Sequence, residues 1–316
     1  MVKEKKLKKD NLDVSIKNKK SKVRHRYSHF GIYLSSFNCK IKNGSTPMVN
    51  QPYCWIKKHE INRFAFPKAN HKIFSSMLEN WVFKTIASLI IWPLASIIFI
   101  ILVPFYFFIS VFIPSVKLCF LASTFCRVIL LFGGQWLKIE GEIPSSDGQP
   151  YLYLFNHSSL FDAFMIVAAI PHYVTAVGAN KQFSWPIWGW VVKRYGVIPI
   201  KRKKLKEAIH SLDLAEDAIR NGVSFIISPE GTRTLTGKIS MFKKGPFHLA
   251  KNTGVTIIPV GLSGAFKAKN KPDWRIKPGT LTLTFGKPIV SSDYENYTLD
   301  KLKNQVQKEI GQLVKY

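Results

Sequence analysis

Tyr151-Leu-Tyr-Leu-Phe-Asn-His-Ser-Ser-Leu-Phe-Asp162 opens with five apolar residues, breaks into polar ones at Asn156, and turns apolar again from Ala163. A short apolar run bounded by polar residues is the pattern of a strand buried on both faces, as in a parallel sheet. Downstream the same signal recurs at 173–177, 197–200, 223–227 and 256–261, and Thr280-Leu-Thr-Leu-Thr-Phe285 alternates with period two. Helical patterns separate these runs. Leu205, Ile209, Leu212, Glu216 and Ile219 share one face, four of them apolar, and Gly222 is placed to stop that helix. Pro246 can start another that ends at Gly254, and residues 299–314 read as a C-terminal amphipathic helix. Strands alternating with helices predict an α/β domain over 133–316, a mixed, largely parallel sheet flanked by helices.

Upstream the composition changes. No charged residue occurs between Lys84 and Lys117, a run rich in Ile, Leu, Phe and Val. One membrane span needs about 20 such residues, and two need about 40 plus a turn. Pro93, Pro104 and Pro114 are expected to interrupt the run. Basic residues flank it on both sides, and basic flanks favour the cytoplasmic side. Residues 76–132 are therefore expected to form a membrane-embedded helical segment, a re-entrant hairpin in preference to a single span. Residues 1–75 are expected to be a basic extension, disordered or irregular. Its first 26 residues carry eleven Lys and Arg against Glu4, Asp10 and Asp13, too little apolar surface to offset ordering.

A formal charge of +27 implies an anionic partner. An anionic phospholipid membrane fits the apolar run. Nucleic acid fits it poorly, and neither zinc-finger spacing nor an aromatic RNA-binding signature is present. Cys39, Cys54, Cys119 and Cys126 show neither metal-ligand spacing nor a disulfide framework. No apolar h-region of a cleavable signal follows the basic N-terminus within the first 30 residues.

Three polar clusters follow predicted strands, at the sheet edge where functional residues of open α/β folds collect. His157 and Asp162 are about 140° apart on a regular helix, so they meet only if His157 lies in the loop and Asp162 in the first helical turn. Asp162 can then hold the imidazole tautomer and stabilise imidazolium. In isolation the pair also reads as a surface histidine beside a helix-capping aspartate. Pro229-Glu-Gly-Thr-Arg233 offers a tight turn at Gly231, an acceptor at Glu230 and a guanidinium at Arg233 suited to phosphate; alone it also reads as a β-turn with an ion pair. Lys201-Arg-Lys-Lys204 alone is a solvated basic patch.

Together these blocks resemble the lysophospholipid and glycerolipid acyltransferase family, over roughly residues 80–290. Asn156-His157 through Asp162 is similar to its first block, Gly196-Val-Ile-Pro-Ile-Lys-Arg202 to its second, Pro229–Arg233 to its third, and Ile257-Ile-Pro-Val260 to its fourth. Phe242-Lys-Lys-Gly245 resembles the usual approach to the fourth block, and Thr234 stands where serine is common. The resemblance implies a glycerol-3-phosphate acyltransferase-like fold and an O-acyltransferase most like 1-acylglycerol-3-phosphate acyltransferase. Its substrates would be a lysophospholipid acceptor and an acyl-CoA or acyl carrier protein thioester. It implies His157 as base, Asp162 as its orienting partner, and Arg202, Glu230, Gly231, Thr232 and Arg233 as substrate-binding, with no metal, no other cofactor, and an active site facing the cytoplasm. Acylation of another lysolipid or of glycerol 3-phosphate, and a non-catalytic lipid-binding role, are the alternatives.

Overall fold

The computed structural model describes residues 14–26, 31–41, 68–145, 148–200 and 205–315. The chain divides into two compact units, Met1–Ile86 and Ala87–Tyr316. In the first, β1 (Val14–Arg26) and β2 (Gly31–Ile41) form an antiparallel ladder from Val14 opposite Ile41 to Arg26 opposite Gly31. The sequence predicts disorder or irregularity here, and that expectation is corrected for these two stretches. Register shifts at Ile16/Asn18 and Lys19/Ser21 break the alternation that would otherwise have marked the first strand.

Helix α1 runs Lys68–Phe112 and continues through Pro93 and Pro104. Each proline removes one backbone donor, and the turns on either side keep theirs, so the helix survives both. The expected interruption comes only at Pro114, followed by a 3₁₀ turn at Ser115–Leu118 and then α2 at Cys119–Phe132. Chain reversal at this point brings Tyr106 and Phe125 within 6.2 Å, and Val103, Leu118 and Ala122 are buried together. Trp81–Phe112 and Ser115–Phe132 are each long and apolar enough to cross a membrane. Much of their surface has no protein cover: Phe112 is 74% exposed and Phe120 80%. At the reversal, Arg194 donates through Nε to Ser110 O at 2.7 Å and through Nη2 to Val111 O at 2.9 Å. These are among the carbonyls that a helix C-terminus leaves without partners. Ser115 Oγ donates back to Arg194 O at 3.0 Å.

The second unit is built on a sheet of β3 (Gln135–Glu140), β4 (Tyr151–Phe155), β5 (Val174–Ala179), β6 (Ile198–Ile200), β7 (Ser224–Ile227), β8 (Thr256–Ser263) and β9 (Gly279–Phe285). Their spatial order is β3-β9-β8-β4-β7-β5-β6. Every neighbouring pair is parallel except β8 and β9, which bears out the mixed, largely parallel sheet. The helices among these strands are α3 (Asp162–Ala169), α4 (Trp188–Arg194), α5 (Leu205–Arg220), α6 (Gly245–Thr253), α7 (Ala265–Ala268), α8 (Ser291–Tyr294) and α9 (Leu299–Leu313). Gly254 ends α6 in the left-handed conformation, at φ 67°. The sequence predicts six of the seven strands to within a few residues. It misses β3, an outer strand whose Trp136, Lys138 and Glu140 are not buried, so it lacks a continuous apolar signature.

Central strand β4 is buried at all five positions because each face is covered. Tyr151, Tyr153 and Phe155 pack with Met165 and Ile166 of α3 and Leu130 of α2. Leu152 and Leu154 pack on the other side with Ile219 of α5, Phe247 of α6 and Val306 of α9. The period-two alternation of side chains thus sends one strand into two cores. Leu154 lies opposite Ile227 in the parallel register of β4 and β7. The loops that leave these strands, at Asn156 and Ser228, emerge side by side at one edge.

Candidate active site

The first loop is held by its own side chains. Asn156 is buried, donating from Nδ2 to Leu262 O at 3.0 Å and accepting from Leu262 N at 2.7 Å. Its amide acts as an extra rung between the end of β4 and β8. Two residues on, the backbone turns around one carboxylate oxygen. Asp162 Oδ2 accepts from Ser158 N at 2.6 Å and Ser159 N at 2.8 Å, and lies 2.8 Å from His157 Nδ1. Asp162 is the first residue of α3 and fully buried, where the helix N-terminus favours negative charge. Ser159 Oγ adds a bond to Lys269 O at 2.8 Å.

The hydrogen bond to Asp162 assigns the imidazole proton to Nδ1, leaving Nε2 with its lone pair. The His157 side chain is 24% exposed, and its ring meets Phe155 edge-on at 5.9 Å. The structure therefore joins the histidine and aspartate by the loop-to-helix turn that their spacing requires. An imidazole held this way can accept a proton at Nε2 and stay oriented as it becomes charged.

The second loop is stitched to the first. Glu230 is buried, accepting from His157 N through Oε1 at 2.7 Å and from Ser240 N through Oε2 at 2.8 Å. Burial raises its pKa, and the His157 and Ser240 hydrogen bonds oppose that rise only in part. Thr234 N donates to His157 O at 2.9 Å, so His157 is gripped by this loop through both its backbone groups. Glu230, expected to bind substrate, directs one carboxylate oxygen at the N–H of the histidine itself and the other at Ser240 N. The motif specifies a carboxylate; the backbone N–H groups of His157 and Ser240 decide where it points.

Gly231 takes φ 69°, a conformation that favours glycine, and its N–H donates to Ser228 O at 3.1 Å. Thr232 is exposed and Arg233 half-buried. Among the described residues the Arg233 guanidinium has neither an ion pair nor a hydrogen bond, so the ion-paired turn that the motif allowed did not form. Arg202 and its neighbours 201–204 lie outside the described residues. A groove of about 890 Å³ lies elsewhere, at the end of α1 between Phe107, Trp190 and Lys193, and none of the described site residues lines it. Sequence reasoning assigned no role to Asn156 or to the backbone N–H of Thr234. Only the Asn156 position next to the histidine could have flagged the first; a backbone donor leaves no mark in sequence.

The chain is similar in sequence and in fold to known proteins. The acyltransferase family matches residues 137–263, and the NUDIX domain family matches residues 2–76. A 1-acyl-sn-glycerol-3-phosphate acyltransferase of Cocos nucifera is 33% identical over 54% of this chain and 54% of its own length. One from Saccharomyces cerevisiae is 32% identical over 61% of this chain and 63% of its own length. The chain thus spans little more than half to three-fifths of these curated relatives. The crystal structure of the 1-acyl-sn-glycerophosphate acyltransferase of Thermotoga maritima superposes with a TM-score of 0.65 at 21% identity, covering 73% of this chain and 96% of that one. At that identity it speaks for the fold alone. Sequence match and fold coincide on the sheet that carries His157 and Asp162, where residues 137–263 of this chain match the acyltransferase family.

Proposed function

We propose that this protein is an O-acyltransferase that moves a fatty acyl group from a thioester to the free hydroxyl of 1-acylglycerol 3-phosphate, giving phosphatidic acid. The observation that carries the reading is the 2.8 Å contact between His157 Nδ1 and Asp162, which leaves Nε2 as the available base. The acceptor's hydroxyl gives its proton to Nε2 as its oxygen attacks the thioester carbonyl. Collapse of the tetrahedral adduct breaks the carbon–sulfur bond, and the imidazolium returns the proton to the departing thiolate. A thioester is already activated, so the enzyme needs no nucleophile of its own. Its carrier is coenzyme A or acyl carrier protein, and no further cofactor enters the scheme. Arg233, half-buried and without an ion pair among the described residues, suits the acceptor's phosphate. The relatives named above act on 1-acyl-sn-glycerol 3-phosphate by their descriptions, which supports this acceptor over other lysolipids and glycerol 3-phosphate. The uncovered apolar helices support a membrane location, and the basic flanks support an anionic leaflet and a cytoplasm-facing site.

The test is thiol release from acyl-coenzyme A and from acyl carrier protein, with a panel of lysolipids as acceptors. His157→Ala is expected to lower turnover at least ~10²-fold. Near-wild-type turnover in that variant would remove the base assignment. Lipid binding without thiol release in the wild type would leave the non-catalytic reading.

A further inference from the structure

Phe242-Lys-Lys-Gly245 places two adjacent lysines after the Glu-Gly-Thr-Arg loop, and the structure gives them different surroundings. Lys244 is tied down: its Nζ lies 2.9 Å from Asp300 Oδ2, and its carbonyl accepts from Phe247 N at the start of α6. Lys243 turns the other way. Its backbone N–H donates to Pro229 O at 2.9 Å, fixing it against the residue before Glu230. Its side chain then crosses Gly231: Cε and Nζ each lie 3.1 Å from where a β-carbon on Gly231 would sit. A β-carbon at 231 would sit tight against the end of this flexible lysine, and it is the φ of 69° that favours glycine there.

The ammonium brought there is uncompensated. Lys243 is exposed, and among the described residues it has neither an ion pair nor a side-chain hydrogen bond. Glu230, next to Gly231, directs its two oxygens at the backbone N–H groups of His157 and Ser240 and forms no ion pair with Lys243 among the described residues. Arg233, two residues beyond Gly231, is unpaired as well. Two cations without counter-ions among the described residues thus flank the Gly231-Thr232 backbone, in the loop that grips His157. Two positive charges match a phosphate monoester, which carries about −1.5 to −2 near neutral pH, better than they match a diester or an uncharged headgroup.

We propose that Lys243 is a phosphate-binding residue of the acceptor site, paired with Arg233 across Gly231 and selecting lysolipids whose headgroup is a phosphate monoester. This rests on the acyl-transfer reading for the identity of the ligand, and binding tests it separately from turnover. The full-length protein in neutral detergent micelles is titrated with 1-acylglycerol 3-phosphate and, in parallel, with uncharged 1-acylglycerol. Lys243→Ala is expected to weaken the phosphate-bearing lipid about tenfold and the uncharged lipid by no more than about twofold. Lys243→Arg restores most of the loss. Lys244→Ala, the same change of charge one residue away, leaves both affinities in place. Equal losses in Lys243→Ala and Lys244→Ala, or equal losses for both lipids, overturn the proposal. Lys243-dependent binding without thiol release sinks acyl transfer and keeps this site; thiol release with binding indifferent to Lys243 does the reverse.

Discussion

Asp162 does two jobs that separate variants can pull apart. Its Oδ2 orients His157 and also accepts the backbone N–H groups of Ser158 and Ser159, both buried. In Asp162→Asn the amide oxygen can take the place of Oδ2 and keep all three contacts. The amide nitrogen then falls where Oδ1 was, 3.5 Å from Ser158 Oγ, which can accept from it. The fold should survive, and what disappears is the negative charge that stabilises imidazolium. Turnover is expected to fall by about 10²- to 10⁴-fold, the range for loss of general base catalysis, with little change in melting temperature. Asp162→Ala removes the acceptor as well and strands two buried N–H groups at roughly 1 to 3 kcal/mol each. Against a total stability of about 5 to 15 kcal/mol, that should show as a large drop in melting temperature. Thiol release and thermal melts on both variants in one detergent are the assay. If Asp162→Asn keeps a third or more of wild-type turnover, or the two variants melt together, the division of labour argued here is wrong.

Glu230→Gln sets an amide nitrogen against one of two backbone N–H groups now held at 2.7 and 2.8 Å, and should lower turnover roughly tenfold; an effect confined to the acceptor KM would return Glu230 to ligand contact. Burial holds its pKa above the ordinary glutamate value, so the folded state binds the extra proton, and stability should decline as pH rises from that value through the raised one. Melts across that window should show a shallower decline for the glutamine variant than for the wild type. Arg233→Ala should raise the KM for the phosphate-bearing acceptor more than the KM for the acyl donor, and equal effects on both would remove its role at the phosphate.

What was legible in sequence follows burial. Strand β4 was predicted residue for residue because both its faces are covered and every position had to be apolar. The stop of α6 at Gly254 was legible because a left-handed cap favours glycine. By contrast β3 alternates only partly at the sheet's edge, and β1 loses its period at two register shifts. The second apolar arm, α2, falls within the expected segment 76–132, but it lies beyond Lys117 and carries Arg127, so the uncharged run does not reach it. At the site, spacing was enough for His157 and Asp162, because only one local geometry lets them touch. It was not enough for Glu230, whose direction depends on N–H groups ten and seventy-three residues away.

The distribution of satisfied and unsatisfied polar groups is the strongest argument that this edge of the sheet binds and reacts with something. Asn156, Ser159, Asp162 and Glu230 are buried, and each bonds a neighbouring segment, so none has an accessible face to offer a ligand. With Thr234 they form a frame that fixes His157 through its N–H, its carbonyl and its ring. Water can solvate exposed cations without a counter-ion, so what distinguishes this loop is that its cations are carried on the backbone that grips His157. Here the groups left over are an imidazole nitrogen, a guanidinium and an ammonium. A rigid frame around one base and two unpaired cations keeps ordering costs low when an anionic ligand arrives, because the groups that meet it are carried on backbone already held in place. Mutations in the frame should therefore act mainly on turnover, through the position of His157. Mutations of the two cations should act on the affinity for phosphate. That separation is the behaviour a plain solvated turn would not show.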